Sequence, residues 1–177
     1  MGNSNSAVPG VALILLSGLP GTGKTTFARA LGERLDVVHV ESDAIRRTIA
    51  EQPTYSPRES GLVFARVESE ARRALAEGRH ALIDATNVTN RDRRRFVRLA
   101  NETGARLVAV RLTAPEDVVR KRLAGPRGGH SQADAAVYEM MKGRAQPFPF
   151  PAVVVDTRWG LEPAIALVLR LINDLPS

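Results

Sequence analysis

The sequence GLPGTGKTT at residues 18–26 fits the phosphate-binding loop (P-loop) pattern G-x-x-x-x-G-K-[ST] in full. A short apolar run at residues 11–16 precedes it and predicts a buried strand, and residues 25–35 predict a helix. A strand, a glycine loop and a helix in this order turn backbone N–H groups and a helix N-terminus towards a phosphate. The stretch therefore predicts a nucleoside triphosphate site, and we expect ATP with Mg²⁺.

The residue types within the loop match the parts of such a site. Its glycines allow the close backbone approach that a Cβ atom would block. A helix terminus alone offers an anion only about 0.3–2 kcal/mol, so Lys24 is expected to carry much of the charge that holds the phosphates. The hydroxyl of Thr25 is placed to ligate Mg²⁺. The predicted nucleotide-binding residues are Gly18, Gly21, Thr22, Gly23, Lys24, Thr25 and Thr26.

The composition fits a globular chain of 177 residues, with 44% hydrophobic and 25% charged residues. It contains no cysteine, which excludes disulfides, thiolate metal sites and cysteine nucleophiles and permits a reducing compartment. The net charge of +6 suits anionic ligands. We expect a flexible leader at residues 1–10 and a single domain at residues 11–177. We also expect a cytoplasmic location, because the apolar run at residues 11–16 is too short to cross a membrane.

Beyond the P-loop, strands and helices are predicted to alternate. Further strands are predicted at residues 36–40, 81–83, 106–112 and 152–155. Short strands that are apolar on both faces and separated by helices indicate an α/β fold, a parallel sheet covered on both sides. Capping boxes at Ser56–Glu59 and at Thr113–Glu116 predict the starts of two of the helices.

Acidic residues follow three of these strands, at the sheet edge where parallel α/β folds bind ligands. Asp84 resembles the acid that lies near Mg²⁺ in P-loop proteins; the alternative is a residue that only caps a turn. Asp43 is a candidate to take the proton of an acceptor hydroxyl, with Arg46 binding the phosphate or the acceptor. The alternative is an N-cap aspartate with a surface pair at i,i+3. Asp156 borders the adenine or forms a plain turn.

The order of these motifs resembles that of the P-loop kinases related to the kinase domain of phage polynucleotide kinase, to zeta toxins, to chloramphenicol phosphotransferase and to gluconate kinase. The resemblance rests on residues 18–26, on Ser42-Asp43-x-x-Arg46, on residues 83–87 with the arginines that follow, and on the arginine-rich stretch 120–127. It implies a P-loop NTPase sheet of five strands in the order 2-3-1-4-5, a helical lid at about residues 120–135, and phosphoryl transfer to a hydroxyl.

The same resemblance implies roles for single residues. Asp43 would be the general base and Arg46 would hold the reacting phosphate, beside Lys24 of the P-loop. Thr25 and Asp84 are the expected metal-side residues. Extra Gly and Pro in the lid leave three candidate arginines that could reach the phosphates. The resemblance implies that Arg127 is the one that does so. The acceptor side would be shaped by Asp84, Thr86 and Asn87, and the lid candidates are Arg120, Arg122 and Arg127.

Three functions are open, and an ATP-dependent kinase with a small-molecule acceptor is favoured. A 5′-hydroxyl polynucleotide kinase would use the arginines at positions 91, 93, 94, 95 and 98 on one predicted helix. No aromatic residue interleaves them to stack bases, and their spacing spreads the charges around the helix. The third function is a nucleotide-hydrolysing switch or toxin-like protein, which has no need of the Asp43–Arg46 pair or of a lid.

Overall fold

The computed structural model describes residues 10–125 and 135–174. Five parallel strands form one sheet in the order β2-β3-β1-β4-β5, as predicted. The strands are β1 Ala12–Ser17, β2 Val37–Glu41, β3 His80–Asp84, β4 Arg106–Thr113 and β5 Val153–Asp156. The P-loop NTPase fold expected from the sequence is therefore confirmed.

Helices cover both faces of the sheet. They are α1 Lys24–Gly32, α2 Ser42–Ile49, α3 Pro57–Ala76, α4 Asn90–Thr103, α5 Glu116–Ala124, α6 Ala135–Arg144 and α7 Glu162–Asn173. Within the described ranges, none of them combines the length and the hydropathy that crossing a bilayer requires. Residues 1–9 of the predicted leader at residues 1–10, and residues 126–134 of the predicted lid at about residues 120–135, lie outside these ranges.

The central strand β1 divides the apolar core into two layers. Leu13 and Leu15 pack on one face with residues of α3 and α4, such as Val67. Ile14 and Leu16 pack on the other face with residues of α1 and α7. All four of these β1 side chains are fully buried, and burying a leucine or isoleucine contributes about 1.5–3 kcal/mol. This alternation explains why β1 is a continuous apolar run.

The two predicted capping boxes differ in outcome. Ser56 caps α3, because its hydroxyl accepts from the N–H of Glu59 at 3.3 Å, although the Glu59 carboxylate bonds Thr54 instead of returning to Ser56. The prediction at Thr113 is wrong. Thr113 is still part of β4, where it lies opposite Asp156, so the N-cap of α5 is Pro115.

His80, the first residue of β3, gives folding a pH dependence. Its Nδ1 accepts a hydrogen bond from the backbone N–H of Ala12 at 2.9 Å. Burial lowers the pKa of His80 from 6.5, against the opposing charge of Asp36. The unfolded chain therefore binds this proton more tightly, so the stability linked to His80 is complete above the unfolded pKa and is lost as the pH falls below it.

We expect the Tm of the wild type to fall as the pH is lowered from about 7.5 to about 5.5, across the histidine range. His80→Asn should show a smaller fall, because the Asn Oδ1 accepts the same hydrogen bond without titrating. Thermal unfolding of both proteins at the two pH values measures the difference. Equal falls in Tm would show that His80 does not carry this dependence.

Candidate active site

A cavity of about 690 Å³ lies at the carboxyl edge of the sheet, a size within the usual range for small-molecule sites. Part of its wall is the P-loop with the start of α1. The cavity forms at this edge because β1 runs into the P-loop, while β2 and β3 end side by side with Glu41 opposite Asp84. Of the other predicted site residues in the described ranges, it is lined by Asp43, Arg46, Asp84, Thr86 and Arg122.

Two glycines give the P-loop its shape. A Cβ atom on Gly18 would lie 2.6 Å from both the carbonyl oxygen of Leu112 and the hydroxyl of Thr22, so no other residue fits without a shift. Gly23 is the N-cap of α1 and has a φ of 92°, which favours glycine. The hydroxyl of Thr22 donates to the carbonyl of Leu19 at 2.7 Å, so this side chain stabilises the loop itself.

Lys24 lies between the loop and two carboxylates. Its Nζ donates to the carbonyl of Leu19 at 3.2 Å. Burial lowers the pKa of Lys24, and the negative charges of Asp84 and Asp43 act in the opposite direction. The ammonium is thus partly stripped of water, which strengthens its attraction for a bound phosphate.

Thr25 and Asp84, for which the sequence predicts a metal-side role, contact each other. The hydroxyl of Thr25 donates to Oδ2 of Asp84 at 2.9 Å, and Asp84 is only 3% exposed. Hydroxyl and carboxylate oxygens are ligands that Mg²⁺ accepts, so the residues fit this ion. Residues 10–125 and 135–174 hold no cluster of three or more His, Cys, Asp or Glu suited to a metal.

His39 of β2 lies beside Thr25 and Asp84, although no sequence motif points to it. Its Nε2 lies 3.1 Å from Oδ2 of Asp84. Thr25 and His39 therefore contact the same carboxylate oxygen and orient it. The contact follows from the pairing of β2 with β3, which a lone histidine in a short strand does not reveal.

Asp43 and Arg46 both line the cavity, but they do not pair with each other. Glu41 is the N-cap of α2, so Asp43 lies in the first turn and the alternative interpretation as an N-cap is wrong. In the described part of the chain, Asp43 has no hydrogen bond or ion pair. Arg46 is 5% exposed, pairs with Glu59 and stacks on Tyr55 at 4.5 Å from the ring centroid.

Glu59 holds Arg46 in the cavity wall. Burial by itself raises the pKa of Glu59, but hydrogen bonds from Thr54 and Arg46, together with the charge of Arg46, lower it to about 2. The carboxylate therefore stays ionised at neutral pH. The Nε of Arg46 is buried and has no partner among the described residues. The sequence identified Glu59 only as a helix-capping residue.

The three arginines predicted for the lid differ in where the structure places them. Arg122 donates to the carbonyl of Gly21 at 3.2 Å and to the hydroxyl of Thr157 at 2.8 Å, which brings its guanidinium to the P-loop. Arg120 instead pairs with Glu116 and Glu139 on the surface and does not line the cavity. Arg127 lies outside the described residues.

Thr157 is a second neighbour of the P-loop that the sequence analysis missed. Its hydroxyl donates to the carbonyl of Thr22 at 2.9 Å. The preceding Asp156 binds Arg158 at 2.6 Å, and hydrogen bonds from Arg158 lower the pKa of this carboxyl. Asp156 thus behaves as a turn residue, and the segment after β5 reaches the P-loop through Thr157. The sequence signal that could have identified Thr157 is its position directly after β5.

Thr86 lines the cavity, whereas the structure does not bring Asn87 to an acceptor. Asn87 is fully buried, has a φ of 44°, and its Nδ2 donates to the carbonyl of Leu16 at 2.7 Å. Its own carbonyl accepts from Ser17 and Arg93. Asn87 therefore fastens the loop after β3 beneath the P-loop, because its side chain points into the protein.

The arginines of α4 do not form one basic face. Arg95 pairs with Glu68 at 3.2 Å and Arg98 with Glu102 at 3.7 Å. Arg93 is 3% exposed and stacks on Phe148 at 4.3 Å from the ring centroid. At 2.9–3.0 Å, the guanidinium of Arg93 donates to the backbone carbonyls of Asn87, Val88, Gln146 and Pro147.

Arg93→Gln should therefore destabilise the fold. Glutamine cannot satisfy these buried carbonyls, and the expected loss is about 3 kcal/mol or more, which corresponds to a Tm lower by about 6–12 °C in a chain of this size. Arg94→Gln is the matched control, because Arg94 is exposed on the same helix and surface changes usually stay within about 0.5 kcal/mol. Similar Tm values for the two variants would contradict a structural role of Arg93.

Known proteins share this sequence pattern. A family model described as an AAA domain matches residues 13–148. An uncharacterized protein of Mycobacterium tuberculosis is 29% identical over 146 residues, which are 76% of this chain and 29% of that protein. The L-seryl-tRNA(Sec) kinase of Methanococcus maripaludis is 28% identical over 112 residues, 62% of this chain and 44% of that protein. The chain thus spans less than half the length of these curated relatives.

The fold is also that of solved kinase structures. APS kinase of Mycobacterium tuberculosis, solved in complex with AMPPNP and APS, superposes with a TM-score of 0.73 at 16% identity. The match covers 94% of this chain and 99% of that one. At this identity the similarity concerns the fold.

Proposed function

This chain belongs to the AAA domain family, as a P-loop kinase-like domain, and on that premise we propose that it transfers the γ-phosphoryl group of ATP to a hydroxyl of a small-molecule acceptor. One observation carries the proposal. Lys24, the hydrogen-bonded Thr25 and Asp84, and Asp43, whose carboxylate has no partner in the described chain, all line a single cavity. That cavity continues past the P-loop and leaves room for an acceptor.

The P-loop end of the cavity has the groups that hold a triphosphate. Backbone N–H groups of the loop and of the start of α1 bind the phosphates, and Lys24 adds a desolvated positive charge. Thr25 and Asp84 would hold Mg²⁺, which when bound neutralises negative charge on the transferred group. His39 also contacts Oδ2 of Asp84 and helps to orient this carboxylate. Arg122, beside Gly21, is the candidate for the arginine that stabilises the leaving phosphates.

The acceptor end has a base and a fixed cation. Asp43 takes the proton of the acceptor hydroxyl. The hydroxyl oxygen bonds to phosphorus, and the bond between phosphorus and the leaving ADP oxygen breaks. Arg46, which lines the cavity and is held by Glu59, binds the transferring phosphate or the acceptor.

A nucleic-acid acceptor is the second candidate, because the relative from Methanococcus maripaludis is named as a kinase of L-seryl-tRNA(Sec). The α4 arginines do not favour a basic surface that binds a nucleic-acid strand, since Arg93 is buried and Arg95 and Arg98 are ion-paired. A nucleotide-hydrolysing switch or toxin-like protein is the third candidate, and nothing in the site favours it over transfer.

A transfer assay with [γ-³²P]ATP tests the proposal. Sugars, sugar acids, nucleosides, antibiotics with hydroxyl groups and 5′-hydroxyl oligonucleotides are offered separately, with Mg²⁺. The proposal expects label in at least one small hydroxyl compound and none after Mg²⁺ is chelated. Label in the oligonucleotide alone would favour the second candidate, and release of inorganic phosphate alone would favour the third.

A further inference from the structure

Away from the P-loop and from Asp43 and Arg46 of α2, one part of the cavity wall is built by three helices. It comes from the first half of α3, the first turns of α4 and the end of α6. Most of its larger side chains are apolar or basic, and one acid, Asp92, lies among them. They include Phe64, Arg91, Arg95, Met140, Met141 and Arg144.

Two of these arginines are not neutralised within the described chain. Arg95 pairs with Glu68 at 3.2 Å. Arg91 and Arg144, in contrast, have no ion pair and no hydrogen bond with any residue in ranges 10–125 and 135–174. The acid beside them, Asp92, accepts a hydrogen bond from the hydroxyl of Thr89 at 2.6 Å. This wall therefore offers the cavity two arginines without an ion pair in the described chain, against the single negative charge of Asp92.

Hydrogen bonds bring the elements that carry these two arginines together. The backbone N–H of Asn90, next to Arg91, donates to Oε1 of Gln146 at 2.6 Å. The N–H of Gln146, two residues after Arg144, donates to the carbonyl of Val88 at 2.9 Å. The end of α6 is thus fastened beside the start of α4. Arg91 and Arg144 therefore lie on two elements that are held together, and both side chains line the cavity.

Building on the proposed function, we propose that Arg91 and Arg144 bind an anionic group of the acceptor, a phosphate or a carboxylate. Guanidinium groups bind both by paired N–H donors. Phe64, Met140 and Met141 contact the uncharged part of the acceptor, and thioether side chains adapt to irregular shapes. The acceptor is then a small hydroxyl compound with an anion at one end and its reacting hydroxyl at Asp43.

Binding measurements test this subsite without requiring transfer. Two probe pairs differ in the anion, ribose 5-phosphate against ribose and glycerate against glycerol. Calorimetry is carried out with the full chain saturated with Mg·AMPPNP. We expect the anionic member of at least one pair to bind about 10-fold tighter or more than its neutral partner, as expected for charged hydrogen bonds. The pair that responds distinguishes phosphate from carboxylate.

Arg91→Gln combined with Arg144→Gln should remove that preference and leave AMPPNP affinity unchanged. Arg94→Gln, an exposed α4 residue that does not line the cavity, is the control and should bind the probes as the wild type does. Replacing both arginines by Lys should retain part of the preference, because the charges remain. Equal Tm values for all variants exclude a loss of folding.

The outcomes separate this subsite from the proposed function. Anionic probes that bind no tighter than neutral ones, or equally well in the double Gln variant, would overturn the subsite even if neutral acceptors are phosphorylated. Arginine-dependent binding without any transfer of label would support the subsite and contradict the kinase proposal. Arginine-dependent binding of a 5′-hydroxyl oligonucleotide, with no small probe bound, would overturn the small-acceptor assignment.

Discussion

Lys24→Ala is expected to weaken the binding of Mg·AMPPNP by about 10²–10³-fold, because an opposite charge at 4 Å from a phosphate is worth roughly 4 kcal/mol at an effective dielectric of 20. The fold should survive. Burial lowers the pKa of Lys24, so the charged form is disfavoured by the folded state, and its removal should leave the Tm unchanged or raise it. Calorimetry and thermal unfolding measure the two effects.

The matched control is Lys121→Ala, which removes an exposed lysine of α5 that does not line the cavity. It should bind Mg·AMPPNP like the wild type. If Lys24→Ala kept wild-type affinity, or if Lys121→Ala lost as much, the P-loop lysine would not be the main phosphate contact and the proposed nucleotide site would be wrong.

Asp43→Asn is expected to lower the rate of phosphoryl transfer by about 10²–10⁴-fold, the usual scale for loss of a general base. The affinity for Mg·AMPPNP should stay close to that of the wild type, because Asp43 makes no hydrogen bond with Thr25 or Asp84 in the described chain. Single-turnover transfer and calorimetry are measured on the same protein. Asp117→Asn, an exposed carboxylate on α5, is the control.

Asp84→Asn should give the opposite pattern, in which the Mg²⁺-dependent affinity for the nucleotide is lost. The two variants together assign the roles of the two acids. If Asp43→Asn lost metal-dependent affinity while Asp84→Asn kept it, Asp43 would be the metal-side residue and Asp84 the candidate base.

Strong local patterns explain how much of the fold was predictable. The P-loop spacing and the apolar run of β1 indicate a strand, loop and helix, and β1 is apolar throughout because both its faces are buried. Alternating strands and helices then indicate a parallel sheet. The strand order was not encoded in any local pattern and came from the family resemblance.

The candidate site was predictable where a residue follows a strand or belongs to a motif. Lys24, Thr25, Asp43 and Asp84 satisfy that condition, and they meet in one cavity. His39 does not, since its contact with Asp84 joins residues 45 positions apart and depends on the pairing of two strands.

The α4 arginines show why the remaining contacts could not be predicted. Their spacing correctly predicts charges spread around the helix. It does not reveal that Arg93 turns inward, because the carbonyls of Gln146 and Pro147 that accept its hydrogen bonds lie 53 and 54 residues away. Arg46 poses the same problem, since a partner on a different helix, Glu59, decides its orientation.

The most direct test of the central claim is the fate of the γ-phosphoryl group in one turnover. The wild-type protein is mixed with [γ-³²P]ATP, Mg²⁺ and the pooled small hydroxyl compounds, and the label is separated into phosphoester and inorganic phosphate. The account predicts label in a phosphoester, and about 100-fold less of it or lower still with Asp43→Asn. Label released only as inorganic phosphate, at the same rate with and without the hydroxyl compounds, would contradict it.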